Sequence, residues 1–161
     1  AGMILEERDD VTFTIVGDGS LRNHVENNFY NDQIKVLGRV PHNKIPEIIS
    51  NSTILTLPSY MEGSPTVCLE ALASEIPVVA SDVGGTSEIV IEKETGFLVP
   101  SGDTKLFAKR IMTLLDNESL RKRMGKNGKK LIEKHYTWDK VVKKTVKIYK
   151  RLLRVHDIGD K

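Results

Sequence analysis

Short apolar runs of three to five residues alternate along this chain with longer stretches in which apolar residues recur every three or four positions. Thr12-Phe13-Thr14-Ile15-Val16, Ile34-Lys35-Val36-Leu37, Thr53-Ile54-Leu55-Thr56-Leu57, Pro77-Val78-Val79-Ala80 and Phe97-Leu98-Val99 are rich in β-branched or aromatic residues and bounded by Gly, Pro, Asn or Ser. They predict strands over 12–16, 34–37, 53–57, 77–80 and 97–99. Helical spacing predicts helices over 21–30, 44–50, 65–73, 85–91, 104–115, 118–135 and 138–155. Such alternation of strand and helix builds a parallel sheet covered on both faces, so the expected class is α/β, a Rossmann-like doubly wound sheet. Asp103 or Thr104, and Asn117, stand where the late helices need caps, while Gly125 and Gly128 weaken the helix they interrupt.

The chain has 161 residues, enough for one domain with a substantial core. Its net charge of +2 is close to balanced, and no nucleic-acid partner is expected. The distribution is uneven: acids predominate in the first ten residues, and Lys and Arg crowd the region from Arg121 to Arg154. Across 138–155, Trp138, Val141, Val142, Thr145, Tyr149, Leu152 and Leu153 keep helical spacing, with Lys140, Lys143, Lys144, Lys147, Lys150, Arg151 and Arg154 filling the rest. This basic amphipathic helix, 137–156 with its flanks, suits either an anionic membrane surface or a partner domain. No apolar run is long enough to span a bilayer and no signal peptide is visible, so a cytoplasmic setting is expected, with room for peripheral contact at the membrane's cytoplasmic face.

The lone cysteine, Cys68, has no His near it in sequence and is expected to pack as a small hydrophobe. His24, His42, His135 and His156 are scattered, with no Cys or acid joining them at ligand spacing, so no metal site is expected. His42, in a Pro-His-Asn turn, is expected to face solvent.

Candidate chemistry concentrates in Glu62-Gly63-Ser64-Pro65-Thr66-Val67-Cys68-Leu69-Glu70, where two acids are separated by seven residues. Ser64 is expected to cap a helix with Pro65 at its first position. The free N–H groups of Thr66 and Val67, at the positive end of the helix dipole, would then suit a phosphate. An ionised carboxylate only accepts hydrogen bonds, so Glu70 could take both protons of a vicinal diol such as a ribose. Glu62 would sit at the mouth of the loop. Upstream, the run 12–16 ends in Gly17-Asp18-Gly19, as a parallel strand does when it delivers its chain to a ligand.

Seven blocks, in order, resemble one family. They are Val16-Gly17-Asp18-Gly19, Val36-Leu37-Gly38-Arg39-Val40, Leu57-Pro58-Ser59, the Glu62 to Glu70 block with Ala71, Pro77-Val78-Val79-Ala80-Ser81, Gly84-Gly85-Thr86-Ser87-Glu88, and Thr137-Trp138. The chain resembles the C-terminal, donor-binding half of a retaining GT-B glycosyltransferase of the group 1 family, whose signature is Glu, seven residues, Glu. The resemblance implies that Glu70 binds the donor ribose and that Glu62 positions the transferred sugar. It further implies that Gly63, Ser64, Pro65, Thr66 and Val67 line the sugar and diphosphate. Gly17 and Gly19 would lie close to the phosphates, and Gly38, Arg39 and Val40 would touch the base, mostly through backbone. The donor would be a nucleoside-diphosphate sugar and the acceptor a hydroxyl, with retention of configuration. No Asp-x-Asp is present, and no metal or other cofactor is expected.

The family pattern is longer than this chain, which is therefore expected to be the C-terminal part of a two-domain protein. By the same resemblance, the first strand of the donor half, with the Arg and Lys that clamp the diphosphate, is missing. That strand would be central, so the sheet is expected to be disturbed: either the strands at Thr12 and Thr53 pair directly, or a second chain fills the gap by strand exchange. Three other functions compete: a nucleotide-binding or protein-interaction module without activity of its own, a sugar-nucleotide epimerase or glycogen-synthase-like GT-B enzyme, and a dinucleotide-dependent oxidoreductase. The last needs a Gly-x-Gly-x-x-Gly turn, and Gly17-Asp18-Gly19-Ser20-Leu21-Arg22 lacks the third glycine.

Overall fold

Val78, Val79, Ala80 and Ser81 are buried without exception, as a strand must be when sheet neighbours flank it and helices cover both faces. The computed structural model describes residues 1–28 and 32–156. Its strands are β1 (Phe13–Val16), β2 (Ile34–Gly38), β3 (Leu55–Leu57), β4 (Val78–Ser81) and β5 (Gly96–Val99). Its helices are α1 (Gly2–Leu5), α2 (Arg22–Asn28), α3 (Ile45–Ser50), α4 (Thr66–Ala73), α5 (Thr86–Ile89), α6 (Thr104–Leu115), α7 (Glu118–His135) and α8 (Trp138–His156), with a 3-10 turn at His42–Lys44. The expected extension of α2 to Tyr30 lies outside the described residues.

β3, β4 and β5 form one parallel sheet, with Leu55 opposite Val78 and Val78 opposite Gly96. Alternation along β4 divides the core. Val78 and Ala80 join Ile49, Cys68, Ala71, Leu72 and Ile89 on one face, and Val79 joins Ile4, Phe97, Ile111, Leu114 and Met124 on the other. β1 and β2 form a separate parallel pair whose register shifts between Ile15 and Val16.

Direct pairing of the strands at Thr12 and Thr53 does not form: β1 pairs only with β2, and β3 only with β4, among the described residues. Val11, Phe13 and Ile54 nonetheless pack against the same cluster as Val79 and Phe97, so the two sheets share a core. Side-chain packing, not a strand ladder, joins the two sheets among the described residues.

Several helix ends fall a residue from expectation, and those of α5 and α4 differ for identifiable reasons. Helix α5 ends at Ile89, short of 91, because Val90 is extended at ψ 113° and the Ile91 N–H donates to Thr95 Oγ1 at 2.9 Å. Helix α4 begins at Thr66. Pro65 occupies the cap position with ψ 98°, too extended for a helical residue, and Ser64 makes no cap bond. Asp103 and Asn117 do cap, accepting from Leu106 N and Leu120 N at 2.9 Å each.

The glycines of α7 have a packing cause. A Cβ on Gly125 would collide with the Glu75 carbonyl, and one on Gly128 would lie 2.6 Å from Leu72 Cδ2. Helix α7 therefore lies close against the end of α4, where Ile76 N–H donates to Ala71 O and Glu75 N–H to Leu72 O, closing the helix with Glu75 in the left-handed region at φ 61°.

Candidate functional site

The chain leaves β3 through Pro58 and Ser59 and turns at once onto Glu62, whose carboxylate accepts a 2.6 Å hydrogen bond from Ser59 Oγ. This local bond holds Glu62 half-buried at the loop mouth. The next residue is fixed from β4's side. Gly85 N–H donates to Gly63 O at 3.1 Å, and neither Gly84 nor Gly85 could carry a Cβ without striking the carbonyl of Glu62 or Gly63 respectively. Gly84, at φ +51°, is also in the region glycine favours. The Gly-Gly turn after β4 is thus the surface on which the Glu62-Gly63 loop rests.

Cys68 N–H is the first amide of α4 to find a helical acceptor, Pro65 O at 3.0 Å. The amides of Thr66 and Val67, ahead of it, have no partner among the described residues, as the start of a helix requires. Glu70, half-buried, follows Thr66 by four residues, so the two share a helix face. Pro65 is buried and Val67 packs onto the core, leaving Gly63, Ser64 and Thr66 exposed. Burial, with the Glu62 carboxylate nearby, pushes the Cys68 thiol up to about 12, so it stays protonated as a packed hydrophobe.

The second group of expected residues sits on the other sheet. Gly17, at φ +135°, donates its N–H to Gly38 O at 2.9 Å, joining the turns that follow β1 and β2. Gly19 N–H donates to Asp18 Oδ1 at 2.9 Å. Gly17, Asp18, Gly19 and Arg22 edge a pocket of about 240 Å³ with an apolar floor that includes Ile15, Val25 and Val36. Gly38 is buried, Arg39 exposed and Val40 half-buried. His42 is exposed.

The structure thus gathers the expected residues into two clusters, one around α4 and one around the ends of β1 and β2, with no hydrogen bond between them among the described residues. No group of three His, Cys, Asp or Glu side chains able to hold a metal occurs among those residues. Sequence reasoning placed Ser59 and the Gly84-Gly85 turn in matching blocks but found neither the Ser59 bond to Glu62 nor the seat that the two glycines give the Glu62-Gly63 loop. A Gly-Gly pair directly after a buried strand was the available signal; nothing local announced its partner, Gly63.

The family described as Glycosyl transferases group 1 matches residues 1–131. The chain belongs to that family. It is 34% identical over 146 residues to an uncharacterized glycosyltransferase of Methanocaldococcus jannaschii, covering 89% of this chain and 41% of that protein. It is 32% identical over 145 residues to the UDP-Gal:alpha-D-GlcNAc-diphosphoundecaprenol alpha-1,3-galactosyltransferase of Escherichia coli, covering 87% of this chain and 37% of that one. The C-terminal domain of a group 1 glycosyltransferase from Francisella tularensis superposes with a TM-score of 0.75 at 26% identity, covering 84% of this chain and 75% of that one. Anabaena HepE in complex with UDP-glucose shares the fold, with a TM-score of 0.79 at 23% identity, over 94% of this chain and 43% of that one. This group 1 chain accordingly has the Rossmann-like α/β architecture of GT-B glycosyltransferases and spans about two-fifths of the length of these curated relatives.

Proposed function

We propose that this group 1 chain is the donor-binding half of an enzyme that moves a sugar from a nucleoside diphosphate to a hydroxyl acceptor with retention. One observation carries the reading: unpartnered amides at Thr66 and Val67 lie between a half-buried Glu62, held by Ser59, and a half-buried Glu70 on the same helix. The amides offer hydrogen bonds to the departing diphosphate, whose charge grows as the glycosidic bond breaks. Glu70 accepts from the ribose diol, a charge-assisted bond worth about 1.5–3 kcal/mol. Glu62 orients the transferred sugar and acts as neither general acid nor general base. Protein groups, not a divalent cation, hold the diphosphate. The names of the Escherichia coli galactosyltransferase and of the Anabaena complex, with UDP-Gal and UDP-glucose, support a nucleotide-sugar donor.

The acceptor site belongs to the remainder of the protein, which also supplies the strand between β1 and β3 and covers the apolar stripe of α8. Calorimetry of the longer protein against UDP, GDP and ADP forms of common sugars tests the donor reading. One of them is expected to bind, and Glu70→Ala to weaken it about tenfold or more. Unchanged donor affinity in Glu70→Ala, with binding abolished in Glu62→Ala, would reverse the two roles. The isolated chain is expected to bind nucleotide weakly and to turn nothing over.

A further inference from the structure

A side chain with no assigned role lies between the two glycine turns. Arg22, the first residue of α2, directs Nε to Glu26 Oε1 at 2.9 Å and Nη1 to Asp18 Oδ2 at 3.3 Å. Asp18 uses its other oxygen on the Gly19 amide, so this carboxylate links the turn after β1 to the arginine. The guanidinium also covers the turn after β2: a Cβ on Gly38 would lie 2.9 Å from Arg22 Cζ, and Gly38 stands at φ +65°. The Gly17 N–H bond to Gly38 O lies between the same two turns. Arg22 therefore touches or pairs with all three pieces of chain that meet here.

We propose that Arg22 is a positioning residue for the donor. It fixes the spacing between the turn at residues 17–19, which the family resemblance assigns to the diphosphate, and the turn at residues 38–40, which it assigns to the base. The inference rests on the donor-site reading above. Arginine suits the role because its planar fork serves two carboxylates at once while its guanidinium packs close against a glycine, which a lysine ammonium cannot do. The Arg22 side chain is 38% exposed and its partners are comparably open, so the two ion pairs add little to global stability. Loosened turns would instead appear in donor binding, where the cost of ordering them is met.

Steady-state kinetics on the longer protein, with Arg22→Ala and Arg22→Lys beside the wild type and thermal melts of all three, test this. Arg22→Ala is expected to raise the donor KM about tenfold with kcat within about twofold, the pattern of lost uniform binding. Its Tm should stay within about 2 °C of wild type. Arg22→Lys, which keeps the charge but only one arm, is expected to recover part of the KM. An unchanged KM in Arg22→Ala, alongside normal donor turnover by the wild type, would overturn the positioning role and leave the donor reading standing. So would kcat and Tm falling together without a KM effect. A folded wild type that uses no nucleoside-diphosphate sugar would overturn the donor reading and this role with it.

Discussion

The Cys68 side chain is fully enclosed in the cluster with Ala71, Leu72 and Val78, two residues before the acid assigned to the ribose. A thiol pushed up to about 12 carries almost no thiolate at neutral pH, and burial denies reagents access. Ellman's reagent at pH 8 is therefore expected to leave the native chain unmodified and to titrate one thiol once guanidinium unfolds it. Reaction of the native chain at the unfolded rate would show that the α4 face opens. The same contrast explains what the residues themselves disclosed. Glu62, Thr66 and Glu70 were legible because their relation is set by spacing along one loop and one helix. The contact that seats the loop, Gly85 N–H to Gly63 O, joins residues 22 positions apart, and no local pattern encodes it.

At the scale of elements, the contact between α4 and α7 sets two opposing effects against each other. Alanine for glycine inside an exposed helix stabilises by about 1 kcal/mol. At Gly125 the added methyl would meet the rigid backbone carbonyl of Glu75, and overpacking of that kind costs about 1–3 kcal/mol. Gly125→Ala is thus expected to be net destabilising. Gly128→Ala, which meets the Leu72 side chain at Cδ2 (2.6 Å) and Cβ (3.1 Å) but no backbone atom, should cost less than Gly125→Ala. Chemical-denaturation midpoints of the two variants decide the matter, and a Gly125→Ala protein more stable than wild type would refute the close approach. All five strands were legible from their apolar runs, as were the caps at Asp103 and Asn117. The glycines of α7 could be read from sequence only as weak points, because their cause is a tertiary contact. The cap of α4 was misplaced by one residue because Ser64 has the right chemistry while Pro65, extended, takes the position.

At the scale of the molecule, α8 leaves an apolar face uncovered. Placed at 100° per residue, Val141, Val142, Val146, Ile148, Tyr149, Leu152 and Leu153 fall on one side, and Lys140, Lys143, Lys144, Lys147, Lys150 and Arg151 on the other. The apolar set is 39–65% exposed and Trp138, at the head of the helix, is 83% exposed. An apolar helix face left this exposed marks a surface that something covers. The cations centre opposite the apolar arc, where the solvated face of a docked helix carries them. Relatives offer a cover, since this chain accounts for only 41% of the Methanocaldococcus jannaschii protein. Trp138 is the chain's single tryptophan and so reports on the helix directly. In the isolated chain its emission is expected to be that of a solvated indole, unmoved by phosphatidylserine vesicles, and to shift to the blue when the separately made remainder of the protein is added. A shift with vesicles and none with the remainder would move α8 from an internal docking helix to a membrane-surface one.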